Sequence, residues 1–127
     1  MNSPPPTVLV VEDHALNMQL ATDLLEADGI RVLQAEAAED GLELARSHHP
    51  DLILMDVQLP GMDGLTAIRQ LQEDPDARDI PVVVLSAHAM EADEAKARDA
   101  GAHGYIAKPI DTRAFVGTVR AYLPESQ

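Results

Sequence analysis

Short, unbroken runs of apolar residues recur along the chain and predict strands that are buried on both faces of a sheet. The five predicted strands are 7–11, 30–35, 52–56, 81–85 and 104–107. Arg31 and Gln34 interrupt the second run, which is typical of an edge strand with partly buried surroundings. The third run is the most informative, because it ends on a single carboxylate, Asp56.

Residues with helical periodicity fill the intervals between these strands. The five predicted helices are 15–28, 38–47, 65–73, 91–100 and 112–123. In the first, Leu16, Leu20 and Leu24 recur every four residues, with Ala21 and Leu25 beside them, and predict one apolar helix face. Asp111 or Thr112 is the predicted N-cap of the last helix, because either side chain can accept a bond from a free amide.

The helix predicted at 91–100 has an unusual content, since its apolar residues are all alanines. Burial stabilises by about 25 cal/mol per Å² of apolar surface, so alanines anchor a helix less firmly than leucines do. We therefore expect this helix to be weakly held and able to shift at modest cost.

Alternation of five strands with five helices predicts an α/β domain, because crossover connections of this length require parallel strands. The predicted fold is one flavodoxin-like, doubly wound, five-stranded parallel sheet in the order 2-1-3-4-5. Residues 1–6 are expected to be a flexible leader, 7–123 the domain and 124–127 a C-terminal tail.

Composition narrows the class of protein. The 127 residues suit one domain, and a hydrophobic content of 46% is that of a globular chain. The absence of cysteine excludes disulfides and thiolate metal sites and favours a cytoplasmic location, and no apolar run is long enough for a membrane span. A net charge of −13, with 2% aromatic residues, argues against direct binding to nucleic acid.

Polar residues follow four of the predicted strands and should meet at one edge of the sheet. Glu12 and Asp13 follow the first strand, Asp56 ends the third, and Ser86 and Lys108 follow the fourth and fifth. In the order 2-1-3-4-5 the first and third strands are neighbours at the switch point, where ligands bind in open α/β sheets.

Three carboxylates at this point would repel one another unless a cation neutralised them. Mg²⁺ fits, since it takes one or two carboxylates together with phosphate oxygens and waters, and Mn²⁺ could replace it. Lys108 adds a positive charge and Ser86 a hydroxyl. The set predicts a phosphoryl-transfer site in which Asp56 is the nucleophile.

The motifs Glu12-Asp13, Asp56 with Pro60 and Gly64, Ser86-Ala87 and Lys108-Pro109 together resemble the receiver domain of two-component response regulators. The resemblance covers 7–123. Segments 17–18, 52–64 and 80–90 are most similar to stand-alone receivers of the cell-cycle type and to receivers of hybrid histidine kinases.

The resemblance implies that Asp56 takes a phosphoryl group from a histidine kinase or a histidine phosphotransfer protein. It implies that Asp13, Asp56 and the main-chain carbonyl of Gln58 bind Mg²⁺, and that Glu12 acts through a bound water. Ser86 and Lys108 would each contact a phosphoryl oxygen.

The resemblance also implies a switch that acts on other proteins and catalyses only its own phosphorylation and dephosphorylation. Tyr105 would turn inward when Ser86 moves, and a cis bond is expected before Pro109. The surface of helix 91–100, strand 104–107 and helix 112–123 would then change toward a downstream protein target.

Two other classes use a similar strand end. A Mg²⁺-dependent aspartyl-phosphate phosphatase usually carries a second aspartate two residues after the nucleophile, where this chain has Gln58. A flavodoxin-like cofactor carrier would need a phosphate loop rich in Ser, Thr and Gly after the first strand, where this chain has Glu12-Asp13-His14. The histidines lack metal-ligand spacing among themselves and are expected at the surface or at helix ends; they are His14, His48, His49, His88 and His103.

Overall fold

A computed structural model describes residues 5–57, 59, 61–86, 91–108 and 110–123. The strands are β1 (Thr7–Val11), β2 (Arg31–Ala35), β3 (Leu52–Asp56), β4 (Val82–Ser86) and β5 (Gly104–Ala107). The helices are α1 (Ala15–Ala27), α2 (Ala38–His48), α3 (Gly64–Glu73), α4 (Glu91–Ala100) and α5 (Phe115–Tyr122). Each predicted element is present; four have the predicted bounds, five differ from them by one residue, and α5 is shorter at both ends.

The sheet has the order β2-β1-β3-β4-β5, and every neighbouring pair is parallel. The predicted fold is therefore confirmed. In the register, Val11 lies beside Met55, and Asp56 lies beside Leu85. This pairing brings the ends of β1, β3 and β4 to one level at the centre of the sheet.

Side chains that alternate along the central strands form a core on each face of the sheet. Leu9, Ile53 and Val84 point to one face, where α2, α3 and α4 pack. Val10, Leu54 and Val83 point to the other, where α1 and α5 pack. Covering both faces explains why β3 and β4 are apolar without interruption.

The buried face of α1 differs from the face that the leucine period predicted. Met18, Ala21, Thr22 and Leu25 are the buried residues of this helix. Leu16 is 86% exposed, and Leu20 and Leu24 are half-buried. The predicted face is confirmed at Ala21 and Leu25 and wrong at Leu16, because Met18 and Thr22 complete the face that lies against the sheet.

The last helix begins later than predicted, at Phe115 instead of Thr112, and its N-cap is Ala114 without a side-chain bond. Asp111 Oδ1 accepts from the amide of Arg113 at 3.0 Å, so its side chain closes a turn before the helix. The main-chain carbonyl of Asp111 then accepts from Phe115 at 2.9 Å. A bond from the amide two residues ahead is also that of an N-cap, so Asp111 caps the turn that leads into α5 and not the first residue of α5 itself.

The expected flexible leader and C-terminal tail remain largely predictions. Residues 1–4 and 124–127 lie outside the described residues, so the expected leader and tail are untested. Pro6 is described, and its carbonyl accepts from the amide of Arg31 at 2.9 Å. In the part of the chain that the structure describes, no helix is both long and apolar enough to cross a bilayer.

Candidate functional site

Four of the predicted site residues lie at the carboxyl ends of the strands. Glu12 directly follows β1, Asp56 ends β3, Ser86 ends β4, and Lys108 directly follows β5. Glu12, Asp56 and Ser86 are only 1%, 2% and 1% exposed. Polar groups this deeply buried are costly unless they are bonded, which marks this edge of the sheet as a built site.

Lys108 joins two of these acids across the end of the sheet. Its Nζ lies 2.5 Å from Glu12 Oε1 and 2.9 Å from Asp56 Oδ2. Burial, reinforced by the neighbouring Asp56, raises the pKa of Glu12 despite the nearby lysine. Burial alone would lower the pKa of Lys108, but its bonds to both acids outweigh that effect and raise it. The lysine therefore stays charged between the two carboxyl groups.

Main-chain hydrogen bonds fix the loops that carry these side chains. The amide of Lys108 donates to the carbonyl of Ser86 at 2.8 Å, and the amide of Glu12 donates to Ala35 at 3.0 Å. These bonds extend the parallel ladder one residue beyond each strand. The charged groups are thereby held on a rigid scaffold.

The first residue of α3 lies against the backbone of the central acid. A Cβ built on Gly64 would lie 2.3 Å from the carbonyl oxygen of Asp56 and 2.8 Å from Cα of Val57. Asp63 caps the helix, since its Oδ1 accepts from the amide of Thr66 at 2.8 Å. The glycine in the predicted motif thus allows α3 to start close to the end of β3.

One group of potential metal ligands lies at this edge: Glu12, Asp13, His14 and Asp56 each offer an atom within 4.8 Å of the others. Carboxylate oxygens in this number suit a hard divalent cation such as Mg²⁺. The predicted acids are therefore close enough to share one ion.

His14 is the member of this group that the sequence reasoning missed. Its Nδ1 lies 3.2 Å from Asp13 Oδ1 and 3.4 Å from Glu12 Oε2. The expectation of a helix-end position holds, because His14 is the N-cap residue of α1. Comparing the histidines only with one another hid the relevant signal, which is that His14 directly follows two acids.

Of the remaining predicted residues, the structure describes Tyr105. Tyr105 is half-buried on β5 and packs against the core beneath α4. Gln58, Pro60, Ala87, His88 and Pro109 lie outside the described residues. The predicted metal contact of Gln58 and the cis bond before Pro109 therefore stay predictions.

Comparison with known proteins agrees with this architecture. Residues 8–120 match the family model described as response regulator receiver domain. The chain is 44% identical over 120 residues to the polar-differentiation response regulator DivK of Brucella ovis, covering 94% of this chain and 98% of that protein.

Two solved structures have the same fold. A response regulator from Thermotoga maritima superposes with a TM-score of 0.82 at 30% identity, covering 93% of this chain and 97% of that one. The receiver domain of sensor histidine kinase PA1611 from Pseudomonas aeruginosa, solved with magnesium coordinated in its active-site cleft, gives 0.85 at 28% identity with the same coverage. The chain belongs to the response regulator receiver domains, the signalling domains of two-component systems.

Proposed function

We propose that this receiver domain accepts a phosphoryl group on Asp56 from a phosphohistidine of a kinase or phosphotransfer protein. A carboxylate oxygen of Asp56 forms the new bond to phosphorus while the bond to the donor's histidine nitrogen breaks. The observation that carries this proposal is the buried Asp56 carboxylate, held 2.9 Å from Lys108 Nζ and within 4.8 Å of two more acids.

The surrounding residues have distinct tasks in this proposal. Asp13 and Asp56, with the main-chain carbonyl of Gln58, hold Mg²⁺, and Glu12 acts through a bound water. Mg²⁺ supplies charge neutralisation for the phosphoryl oxygens. Lys108, which already contacts the acceptor, moves its bond to a phosphoryl oxygen, and Ser86 donates its hydroxyl to another.

The donor set supports the metal part of the proposal on chemical grounds. Two carboxylates plus a carbonyl are oxygen ligands of the kind that Mg²⁺ prefers, and the remaining positions are left for water and phosphate. The magnesium in the related receiver of the Pseudomonas kinase is consistent with this choice. The phosphatase alternative is less favoured, because Gln58 stands where that class usually has its second aspartate.

The proposal predicts that phosphorylation requires the metal. Wild-type protein incubated with acetyl phosphate and Mg²⁺ should gain the mass of one phosphoryl group, because the cation screens the acids from the incoming anion. Intact-mass spectrometry measures the gain. The matched control contains the same donor with excess EDTA and equal ionic strength, where little or no gain is expected. No gain with Mg²⁺ present would overturn the proposal.

We further propose that the signal leaves through α4, β5 and α5. Among residues 95–100 of α4, the buried side chains are the small ones of Ala97 and Ala100. By comparison, α3 buries the larger side chains of Ile68 and Leu71. Two charge-assisted bonds, from Ser86 and Lys108, could supply roughly 3–6 kcal/mol. Inverting a two-state equilibrium from 1:99 to 99:1 needs about 5.5 kcal/mol, so the bias is large enough to move a weakly anchored helix.

Hydrogen exchange provides the measurement for this output surface. Amides of residues 91–106 are expected to change their exchange rates on phosphorylation, because the population of α4 and Tyr105 conformations shifts. Amides of α2, which buries Leu42 and Ala45, serve as the internal control and should stay constant. Unchanged rates throughout 91–106 in fully phosphorylated protein would exclude this surface as the moving part.

A further inference from the structure

We propose that His14 is a metal-selectivity ligand, which adds a nitrogen donor to the acidic site and favours Ni²⁺ and Zn²⁺ over Mg²⁺. The inference rests on the proposed function, since it concerns the same ion site. It goes beyond that function because an imidazole nitrogen enlarges the preference for these ions beyond what oxygen ligands alone would give.

The imidazole reaches the acids through one atom. His14 Nδ1 is 3.2 Å from Asp13 Oδ1 and 3.4 Å from Glu12 Oε2, and all four candidate ligand atoms, including one of Asp56, lie within 4.8 Å of one another. Around an ion with ligand distances of about 2.1 Å, adjacent octahedral ligands are about 3.0 Å apart and opposite ones about 4.2 Å. Small side-chain rotations would therefore bring Nδ1 and the carboxylates onto one ion.

The local backbone keeps His14 beside the acids. Its amide donates to Glu12 Oε2 at 3.3 Å, and its backbone is extended (φ −88°, ψ 117°) at the N-cap of α1. Three consecutive residues between β1 and α1 thus present side-chain ligands to the same point. The ring is 67% exposed, so it can rotate and remains accessible to an ion from solvent.

Lys108 leaves this side of the acids available. Its Nζ contacts Glu12 Oε1, whereas His14 lies next to the other oxygen, Oε2. A cation between His14, Asp13 and Asp56 could therefore bind without displacing the lysine from Glu12. Glu12 would then have Lys108 next to Oε1 and the cation on the side of Oε2.

The preference follows from the chemistry of the ligands. Mg²⁺ binds oxygen and loses its water reluctantly, so an imidazole adds little to its affinity. Ni²⁺ and Zn²⁺ bind imidazole well and have higher affinity for mixed nitrogen and oxygen sites in general. His14 should then strengthen binding of these two ions selectively.

Calorimetric titration of the full chain without an affinity tag tests the inference, using Mg²⁺ and Ni²⁺ as separate ligands. His14→Asn is expected to weaken Ni²⁺ binding about tenfold or more and to leave Mg²⁺ binding within about twofold of wild type, where tenfold corresponds to about 1.4 kcal/mol. His48→Asn makes the same change at the end of α2, near Thr7 and Arg31 at the amino ends of β1 and β2, and should alter neither affinity at the acidic site. Equal effects of His14→Asn on both ions, or no effect on Ni²⁺, would overturn the inference.

A second measurement uses the unmodified protein and does not depend on how a variant folds. Long-range proton–nitrogen NMR spectra should show a large shift of the His14 Nδ1 resonance when Zn²⁺ is added, and little shift with Mg²⁺. An unchanged Nδ1 resonance at saturating Zn²⁺ would also overturn the inference. If Mg²⁺ binds and supports phosphorylation in that case, the proposed function stands while the role of His14 fails. If wild type takes no phosphoryl group with Mg²⁺, the proposed function itself fails.

Discussion

Asp56→Asn is expected to reduce phosphoryl gain from acetyl phosphate to the detection limit in the presence of saturating Mg²⁺. The amide that replaces the carboxylate is neutral and a poor nucleophile, so no acyl phosphate can form. The variant should still fold, because the asparagine oxygen can accept from Lys108 in the way that Asp56 Oδ2 does at 2.9 Å. Intact-mass spectrometry of both proteins over time measures the difference.

Asp63→Asn is the matched control for this substitution. It makes the same chemical change seven residues later, at the N-cap of α3, where an asparagine side chain can still accept from the amide of Thr66. Its phosphorylation should therefore match wild type. If Asp56→Asn gained a phosphoryl group at the wild-type rate, the acceptor would be another residue, and peptide mapping would locate it.

Gly64→Ala is expected to destabilise the protein by about 1–3 kcal/mol and to slow phosphorylation. The added methyl group would overlap the carbonyl oxygen of Asp56 at 2.3 Å and Cα of Val57 at 2.8 Å. Both neighbours are main-chain atoms of the β3 end, so relief requires moving α3 or the acceptor itself. Chemical denaturation measures the stability, and the acetyl phosphate assay measures the rate.

Gly117→Ala provides the contrast, because a methyl group added at this exposed position within α5 would have no atom within 4 Å. Alanine is the better helix former, so this variant should gain about 0.5–1 kcal/mol of stability. We therefore expect the free energy of unfolding to fall in Gly64→Ala and to rise in Gly117→Ala. A loss of similar size at both positions would mean that close packing at the end of β3 is not the cause.

Apolar patterning was sufficient to predict the strands and the edge of the sheet at which the polar residues meet, whereas the strand order came from the known arrangement of doubly wound sheets. β3 and β4 are apolar up to their last residue. Parallel pairing places the ends of these strands at one level, independently of side-chain conformation. The prediction that Glu12, Asp56 and Lys108 share an edge therefore needed only topology. Their contacts depend on side-chain conformation across 96 residues of separation, which no local pattern encodes.

Errors arose where two local signals competed. The leucine period in α1 indicated a face that includes Leu16, but Met18 and Thr22 pack on the sheet beside the predicted Ala21 and Leu25. Asp111 makes the side-chain bond expected of a cap, but it does so in the turn before α5. In α1 tertiary packing prevailed over a weak propensity.

The bridge that Lys108 makes between Glu12 and Asp56 has an electroneutrality consequence. When ionised, Glu12, Asp13 and Asp56 carry three negative charges, and Lys108 contributes one positive charge. The remaining formal charge of the pocket is balanced by one divalent cation. Phosphorylation of Asp56 replaces one negative charge with about 1.5 to 2. In the proposed cycle the phosphorylated pocket is therefore more anionic and should retain its ion more strongly than the resting pocket. By reciprocity the bound ion stabilises the phosphorylated state by the same free energy, so the equilibrium of phosphoryl exchange with the donor protein would depend on the supply of metal.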